Sequence, residues 1–235
     1  MGTTGSGAVP VTEHPIAPSL LERVGAQLCR SAARLRASGE ERQACRAEQF
    51  AVRVGLMRDA PKATRRMHLL IRHVYEAPES EVMLARALAG AMSLIGAELG
   101  NIQTRDPATG KLTIAVQSGF SGEFLEYFAV VDDDSSACGR AAERRSQTVI
   151  ADVNEDAAFA AHREIAAASG FRAVQSTPLI DSDGLLQGVM STHFRRAHRP
   201  CQRDLQIVEW YGEYIAAVLT RPPHPPRPSY QSGGH

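Results

Sequence analysis

The chain has 235 residues, of which 43% are hydrophobic and 22% are charged, a composition typical of a globular protein with a packed core. Lysine and arginine together number 26, as do aspartate and glutamate, so the formal net charge is zero. This balance argues against an electrostatic surface for nucleic acid, which would require a strongly basic face.

The N-terminal sequence lacks the basic start and apolar core of a signal peptide, and no apolar run approaches the ~18 residues of a membrane helix. The four cysteines, Cys29, Cys45, Cys138 and Cys201, form no CxxC pair and show no zinc-ligand spacing. We therefore expect a soluble cytoplasmic protein with reduced thiols, and neither nucleic acid nor a membrane as its partner.

The two ends of the chain lack a periodic apolar pattern. Residues 1–18 are rich in Gly, Thr, Pro and Ala, which predicts a flexible tail. Residues 221–235 read RPPHPPRPSYQSGGH, and their prolines cannot continue a helix, so they predict a disordered tail.

Residues 19–77 are rich in Ala, Arg, Leu, Glu and Gln, and they predict a helical extension. A first helix begins at the candidate cap Ser19 and is interrupted at Ser38 and Gly39. Two more amphipathic helices are predicted over about 40–58 and about 62–75. Such helices need a partner surface, and three arrangements are open: a small bundle, packing on the following domain, or a dimer interface.

Residues 78–220 alternate between helices and hairpins. A helix over 79–99 precedes two strands, 100–104 and 112–118, which the turn 106–110 joins. Short helices over 122–128 and 138–145, a strand over 148–151 and a helix over 155–169 come next. Strands over 173–180 and 185–194 form a second hairpin, and a helix over 200–220 follows. This order predicts an α+β fold with an antiparallel sheet.

Five stretches within residues 78–220 carry a family resemblance. They are GNIQT at 100–104, SACGRA at 136–141, IADV at 150–153, GFRAVQSTPLI at 170–180 and GVMSTHFRRAHRP at 188–200. In this order and at this spacing they resemble bacterial GAF domains. The resemblance implies a central antiparallel sheet of about six strands, with the first and last helices on one face. It also implies a ligand cavity on the other face, enclosed by loops and short helices. Members of the family bind cyclic nucleotides, haem, bilins, nitrate or amino acids, and many are dimeric sensors, so the resemblance names no single ligand.

Alternation along the strands selects candidate ligand-binding residues. Three pairs of polar residues each share one face of a strand: Asn101 with Gln103, Gln175 with Thr177, and Ser191 with His193. If these strands are neighbours, we expect the three pairs to converge on one half-enclosed face. Such clustering favours a polar ligand or ordered water, and hydrogen bonding among the side chains themselves is the alternative.

Two further residues belong to the predicted site. Phe128, with Phe124 and Tyr127, offers an apolar wall or lid to the cavity, and packing in the core explains these residues equally well. Cys138 begins a helix, whose N-terminus can lower the pKa of a thiol, but a small packed residue is the preferred interpretation. For His193 a structural or anion-binding role is preferred over a metal or haem ligand. The acidic run 132–134 is interpreted as a solvated loop rather than a cation site.

The sequence contains no Walker A loop, no GxGxxG after a strand, no GxSxG and no HExxH, and we expect no enzymatic activity. The predicted function is a sensor whose GAF domain binds a small polar or anionic ligand. We expect a homodimer that signals by helix rearrangement to a separate sensor kinase or regulator. No cofactor is identified. The alternatives are a haem- or chromophore-binding sensor, a thiol-based redox enzyme using Cys138, and a scaffold with a collapsed cavity.

Overall fold

The computed structural model describes residues 17–131 and 134–220. Both predicted tails therefore lie outside the described residues, apart from positions 17 and 18, and so do Asp132 and Asp133 of the acidic run. The helices of the described part are α1 Pro18–Ala37, α2 Glu41–Asp59, α3 Pro61–Tyr75, α4 Ser80–Ile95, α5 Gly122–Tyr127, α6 Ala137–Arg144, α7 Arg163–Ser169 and α8 Gln202–Leu219, with a 3-10 helix over Ala157–His162. The strands are β1 Leu99–Arg105, β2 Leu112–Ser118, β3 Val130–Val131, β4 Thr148–Ile150, β5 Ala173–Ile180 and β6 Leu186–Phe194.

The chain divides into two compact units, one up to Pro61 and one from Lys62 onward. In the first unit α1 and α2 form a helical hairpin, in which Gly25 of α1 lies against Val54 of α2. Arg36 donates two hydrogen bonds, of 2.6 and 2.9 Å, to the carboxylate of Glu48. The large apolar side chains that this hairpin exposes are Leu20, Val24, Phe50 and Val52.

Helix α3 packs within the second unit. Met67 is fully buried, and the ring of His68 meets the ring of Trp210 of α8 edge-on at a centroid distance of 5.3 Å. Arg66 donates a hydrogen bond of 2.6 Å to Ser93 of α4. Of the three arrangements open for the helical extension, α3 therefore shows packing on the following domain, whereas α1 and α2 form a unit of their own.

The second unit is built on a six-stranded antiparallel sheet with the strand order β3-β2-β1-β6-β5-β4. The predicted α+β fold with such a sheet is confirmed. Helices α4 and α8 cover one face: Gly100 of β1 lies beneath Leu88 and Met92 of α4, and Gly212 of α8 lies over Thr177 of β5. The predicted placement of the first and last helices of this segment on one face of the sheet is also observed, and α4 and α8 contact one another.

The turn between β1 and β2 has the predicted chemistry. The Asp106 carboxylate accepts hydrogen bonds from the amides of Ala108 and Thr109 at 2.7 and 3.0 Å. Gly110 closes the turn at a φ of +79°, a conformation that costs a residue with a Cβ atom free energy. This turn sets the pairing of Gln103, Thr104 and Arg105 with β2, and the register shifts between Ile102 and Gln103.

The other face of the sheet is covered by α5, α6, α7 and the 3-10 helix. A continuous apolar cluster fills the space between these helices and the strands. Its buried members are Leu99, Leu112, Phe124, Phe128, Val131, Ala137, Ala141, Ile150, Val153, Phe159, Ile165, Ala166, Phe171, Val174 and Val189. The candidate site lies within this layer.

Candidate functional site

The candidate site is a small cavity between the sheet and its covering helices. Its lining combines polar strand residues with phenylalanines, and the members are Asn101, Gln103, Phe124, Phe128, Ser136, Ala137, Cys138, Phe159, Phe171, Val174, Ser176, Ser191 and His193. The cavity has a volume of about 20 Å³. This is room for one water molecule, so a larger occupant requires the walls to move.

The central strands β1 and β6 supply most of the polar wall. Antiparallel pairing places Asn101 opposite Ser191 and Leu99 opposite His193, so these side chains share one face. Gln103 continues that face one step along β1 and is only 1% exposed. The structure thus brings together Asn101, Gln103, Ser191 and His193, as the strand pattern predicted.

Phenylalanine side chains form the opposite wall. Phe124 of α5 lies 4.8 Å from Phe128, measured between ring centroids. Phe120, half-buried just before α5, stacks on Phe124 at 3.7 Å and meets His193 edge-on at 4.9 Å. Phe171 meets the same imidazole at 4.7 Å from another side. His193 is therefore held in a predominantly aromatic surrounding.

Three polar atoms in this cavity wall have no hydrogen-bond partner within the part of the chain that the structure describes. They are Oδ1 of Asn101, Oε1 of Gln103 and Nδ1 of His193. Buried polar atoms are nearly always paired, and an unpaired one costs about 1–3 kcal/mol. Three such atoms around one cavity indicate a place where a polar molecule can bind.

Burial sets the protonation states inside the cavity. It lowers the pKa of His193 to about 3, so the imidazole is neutral at pH 7. Burial also raises the pKa of the Cys138 thiol, and this effect exceeds the opposing hydrogen bonds, among them those from Ser136 and Gln103. Cys138 lies in the first turn of α6, one residue after the helix begins at Ala137, and it is held as a neutral thiol rather than activated as a thiolate.

The prediction that Gln175 and Thr177 share the face of Ser191 and His193 is wrong. The register of β5 against β6 pairs Ser176 with Ser191, and their hydroxyl oxygens lie 2.7 Å apart. Because side chains alternate along a strand, Ser176 faces the cavity while its two neighbours face α8.

Thr177 instead contributes to the packing between the sheet and α8. Its hydroxyl accepts a hydrogen bond of 3.2 Å from Gln147, whose amide also donates to the carbonyl oxygen of Leu205 at 3.1 Å. Gln175 is 1% exposed on the same face, and neither its Oε1 nor its Nε2 atom has a partner.

Replacing Gln175 by leucine is expected to stabilise the protein by about 1 kcal/mol. The two side chains have similar volumes, and the change removes two buried polar atoms that make no hydrogen bond. Urea unfolding followed by circular dichroism measures the change. Gln187→Leu is the control, because Gln187 donates a hydrogen bond of 2.7 Å to Asp181 and its replacement should destabilise. A lower free energy of unfolding for Gln175→Leu would contradict the assignment of this amide as unpaired.

Several lining residues were not predicted from the sequence: Ser136, Ala137, Phe159, Phe171, Val174 and Ser176. Ser136 caps α6, since its hydroxyl accepts a hydrogen bond of 3.1 Å from the amide of Gly139. The sequence could have identified Ser136 as the N-cap of α6, because serine is a preferred N-cap residue and its hydroxyl bonds the amide three residues further on. Phe159 and Phe171 lie in segments without a strand pattern, so alternation could not select them.

Hydrogen bonds tie together the segments that cover the cavity. His162 lies 3.0 Å through Nδ1 from the Tyr127 hydroxyl of α5, and 2.8 Å through Nε2 from the Ser135 hydroxyl ahead of α6. Arg140 of α6 forms two hydrogen bonds with the Asp156 carboxylate, at 3.1 and 3.3 Å. Side-chain hydrogen bonds thus connect α5, α6 and the 3-10 helix, which together cover the cavity.

Two further observations bear on function. No group of three or more His, Cys, Asp or Glu side chains suited to a metal ion occurs within residues 17–131 and 134–220. In the same part of the chain, no helix has the length and apolar character needed to cross a membrane.

Comparison with known proteins places the fold in a family. The family model for the GAF domain matches residues 77–220, more than half of the chain. No curated protein matches the chain.

Solved structures of similar fold come from diverse bacterial proteins. The GAF domain of a phosphoenolpyruvate-protein phosphotransferase from Coxiella burnetii is 16% identical with a TM-score of 0.57, over 68% of this chain and 92% of that one. Free methionine-R-sulfoxide reductase from Neisseria meningitidis, solved with its substrate, is 18% identical with a TM-score of 0.54, over 67% and 90%. The nlh2 GAF domain of A. aeolicus, in an inactive state, is 19% identical with a TM-score of 0.52, over 66% and 94%. Since the family model covers the whole sheet and both of its helical faces, this chain belongs to the GAF domain family, whose members are sensory domains that bind small molecules or chromophores.

Proposed function

We propose that this protein is a cytoplasmic sensor that binds a small polar molecule in the cavity between β1, β6 and the covering helices. The observation that carries the proposal is the set of three unpaired, buried polar atoms on Asn101, Gln103 and His193. Their desolvation cost is offset when a bound molecule supplies hydrogen bonds, so binding is favoured over an unfilled site.

Signal transmission is proposed to run through β1 and β5, because each strand contacts the cavity on one face and a helix on the other. On β1, Asn101 faces the cavity, whereas Gly100 lies against Leu88 and Met92 of α4. On β5, Ser176 faces the cavity and Thr177 lies against Gly212 of α8. A ligand that prefers one strand geometry therefore biases the packing of α4 and α8, which is the differential affinity that signalling requires.

The recipient of this signal is proposed to be a second protein, a sensor kinase or a regulator. A homodimer is part of the proposal because the hairpin of α1 and α2 exposes apolar side chains, among them Phe50 at 52%. Exposed apolar surface of this kind is usual at association sites, and most homo-oligomers are twofold dimers.

A binding role is proposed in preference to catalysis. The thiol of Cys138 has a raised pKa, so it lacks the thiolate character of a redox nucleophile at pH 7. A haem or bilin group is not included in the proposal, because a tetrapyrrole would require a much larger displacement of the walls of this cavity of about 20 Å³ than a small molecule does.

The test is native mass spectrometry of freshly purified protein, compared with the denatured mass, followed by a thermal-shift screen of small metabolites of every charge. We expect a retained or added small molecule that Gln103→Leu loses and that Gln175→Leu keeps. The two variants form a matched pair, since both replace a glutamine that is 1% exposed on the same sheet, on opposite faces. If no compound of any charge binds in a manner that depends on Gln103, the proposed function is wrong.

A further inference from the structure

Among residues 17–131 and 134–220, the cavity is lined by polar atoms but by no charged side chain. Its lining residues comprise phenylalanines, small residues, two amides, serines, one thiol and one imidazole. A bound ion would therefore find hydrogen-bonding groups and aromatic rings in the wall but no countercharge.

Arg140, a buried charged residue of α6, is already paired with a carboxylate. Arg140 is 7% exposed and follows the cavity residues Ala137 and Cys138 on α6. Its guanidinium is bound through Nη1 and Nη2 to the two carboxylate oxygens of Asp156. Burial would raise the pKa of Asp156, yet the hydrogen bonds and charge of Arg140 hold it below its usual range, so the ion pair stays formed. Arg140 is thus committed to Asp156 and is not a free cation for a ligand.

The unpaired atoms also favour a ligand that donates hydrogen bonds. Oδ1 of Asn101 and Oε1 of Gln103 are acceptors, and they call for a ligand with N–H or O–H groups. Nδ1 of His193 can accept or donate according to the tautomer of the neutral ring. A ligand that offers only acceptors would leave both amide oxygens unpaired.

From these observations we propose that the cavity selects small uncharged molecules that donate hydrogen bonds, such as carboxamides, and rejects carboxylates and organic cations. This proposal rests on the proposed function, since it names the chemical class that the same cavity takes. The physical reason is that an ion moved into an apolar site without a partner charge loses its hydration without compensation, whereas a neutral donor exchanges water for the two amide oxygens.

The volume of the cavity limits which probe molecules can test this preference for uncharged ligands. The cavity of about 20 Å³ holds one water molecule as it stands, and further room requires displacement of the phenylalanine wall. Behind this wall, Phe120 is half-buried and stacks on the lining residue Phe124. Probes of the smallest size are therefore appropriate.

Four compounds of nearly identical shape separate charge from hydrogen-bond donation: acetamide is neutral with donors, acetone is neutral without donors, acetate is an anion, and acetamidinium is a cation. Binding to the full chain is measured for each by ligand-observed NMR titration and by thermal shift at constant ionic strength. We expect acetamide to bind at least about tenfold more tightly than the other three, since one well-formed hydrogen bond or one uncompensated charge accounts for that factor.

Variants locate the binding. Gln103→Leu is expected to weaken acetamide binding by about tenfold, and Gln175→Leu is expected to leave it unchanged. Both variants remove a buried glutamine whose Oε1 atom is unpaired, and both are expected to fold, so a loss of binding in only one of them reports the cavity.

The outcomes separate the class of ligand from the existence of a ligand site. If acetate or acetamidinium binds as tightly as acetamide, or if acetone does, the proposed class is wrong. It is also wrong if acetamide binding does not respond to Gln103→Leu. In each of these cases the metabolite screen with the same pair of variants still decides whether the cavity is a ligand site of another chemistry.

Discussion

Replacing Gly188 by alanine is expected to destabilise the second unit by about 3 kcal/mol, the upper end of the usual range for overpacking. A Cβ atom at position 188 would overlap the backbone carbonyl oxygen of Gln103 and lie 3.2 Å from Cα of Thr104. Gly188 pairs with Thr104 in the ladder of β1 and β6, next to a register shift between β5 and β6. Because the obstacle is backbone of the central strand pair, no side chain can rotate away to relieve it.

The measurement is urea unfolding monitored by circular dichroism, and Gly122→Ala is the matched control. A Cβ atom at Gly122 would meet no heavy atom within 4 Å, so this variant should change the free energy of unfolding by less than about 0.5 kcal/mol. The close approach at Gly188 also bears on the site, since it fixes the backbone of Gln103. Equal stability of the two variants would show that β1 and β6 can separate without cost, against the packing described here.

The fold was largely predictable because its signals are local. The turn at Asp106, the cap of α6 at Ser136 and the glycine after α7 each act within a few residues of chain. Such signals place helices and strands in order, and the family resemblance then gives their arrangement. The final order of the sheet, with β1 beside β6, is a long-range feature that no local pattern contains.

The candidate site was predictable in part, and β5 shows why. Alternation correctly pairs Gln175 with Thr177, but it does not say which face of the sheet that pair occupies. Only the register against β6 decides this, and it turns Ser176 toward Ser191. Both faces of β5 are buried, so polarity along the strand could not identify the cavity side either.

The protonation states of Cys138 and His193 also could not be predicted from the sequence. A helix N-terminus favours a thiolate at Cys138, whereas the packed surroundings favour the thiol, and the second effect is larger. The thiol is favoured because Cys138 is packed against Phe128, Phe159 and other residues from separate segments of the chain. The same surroundings act on His193, with a consequence for the whole protein.

His193 is 5% exposed, and its imidazole contacts Phe120, Phe124 and Phe171. Burial lowers its pKa from 6.5 to about 3. The unfolded chain therefore takes up a proton at this residue as the pH falls below about 6.5, while the folded protein does not. The contribution of His193 to the free energy of unfolding is therefore complete above pH 6.5 and is lost progressively as the pH falls toward 3.

We therefore expect the protein to lose about 2 kcal/mol of stability at His193 between pH 7 and pH 5, because pH 5 lies about 1.5 units below the unfolded pKa and each unit corresponds to about 1.36 kcal/mol. The measurement compares urea unfolding at the two pH values for the wild type and for His193→Gln, whose uncharged side chain cannot titrate. The other histidines and the carboxylates contribute equally to both proteins, so the difference between the two pH dependences isolates His193. A wild type that loses no more stability than His193→Gln would show that this imidazole becomes protonated in the folded state. A charge would then be tolerated inside the cavity, and the preference for uncharged ligands would lose its physical basis.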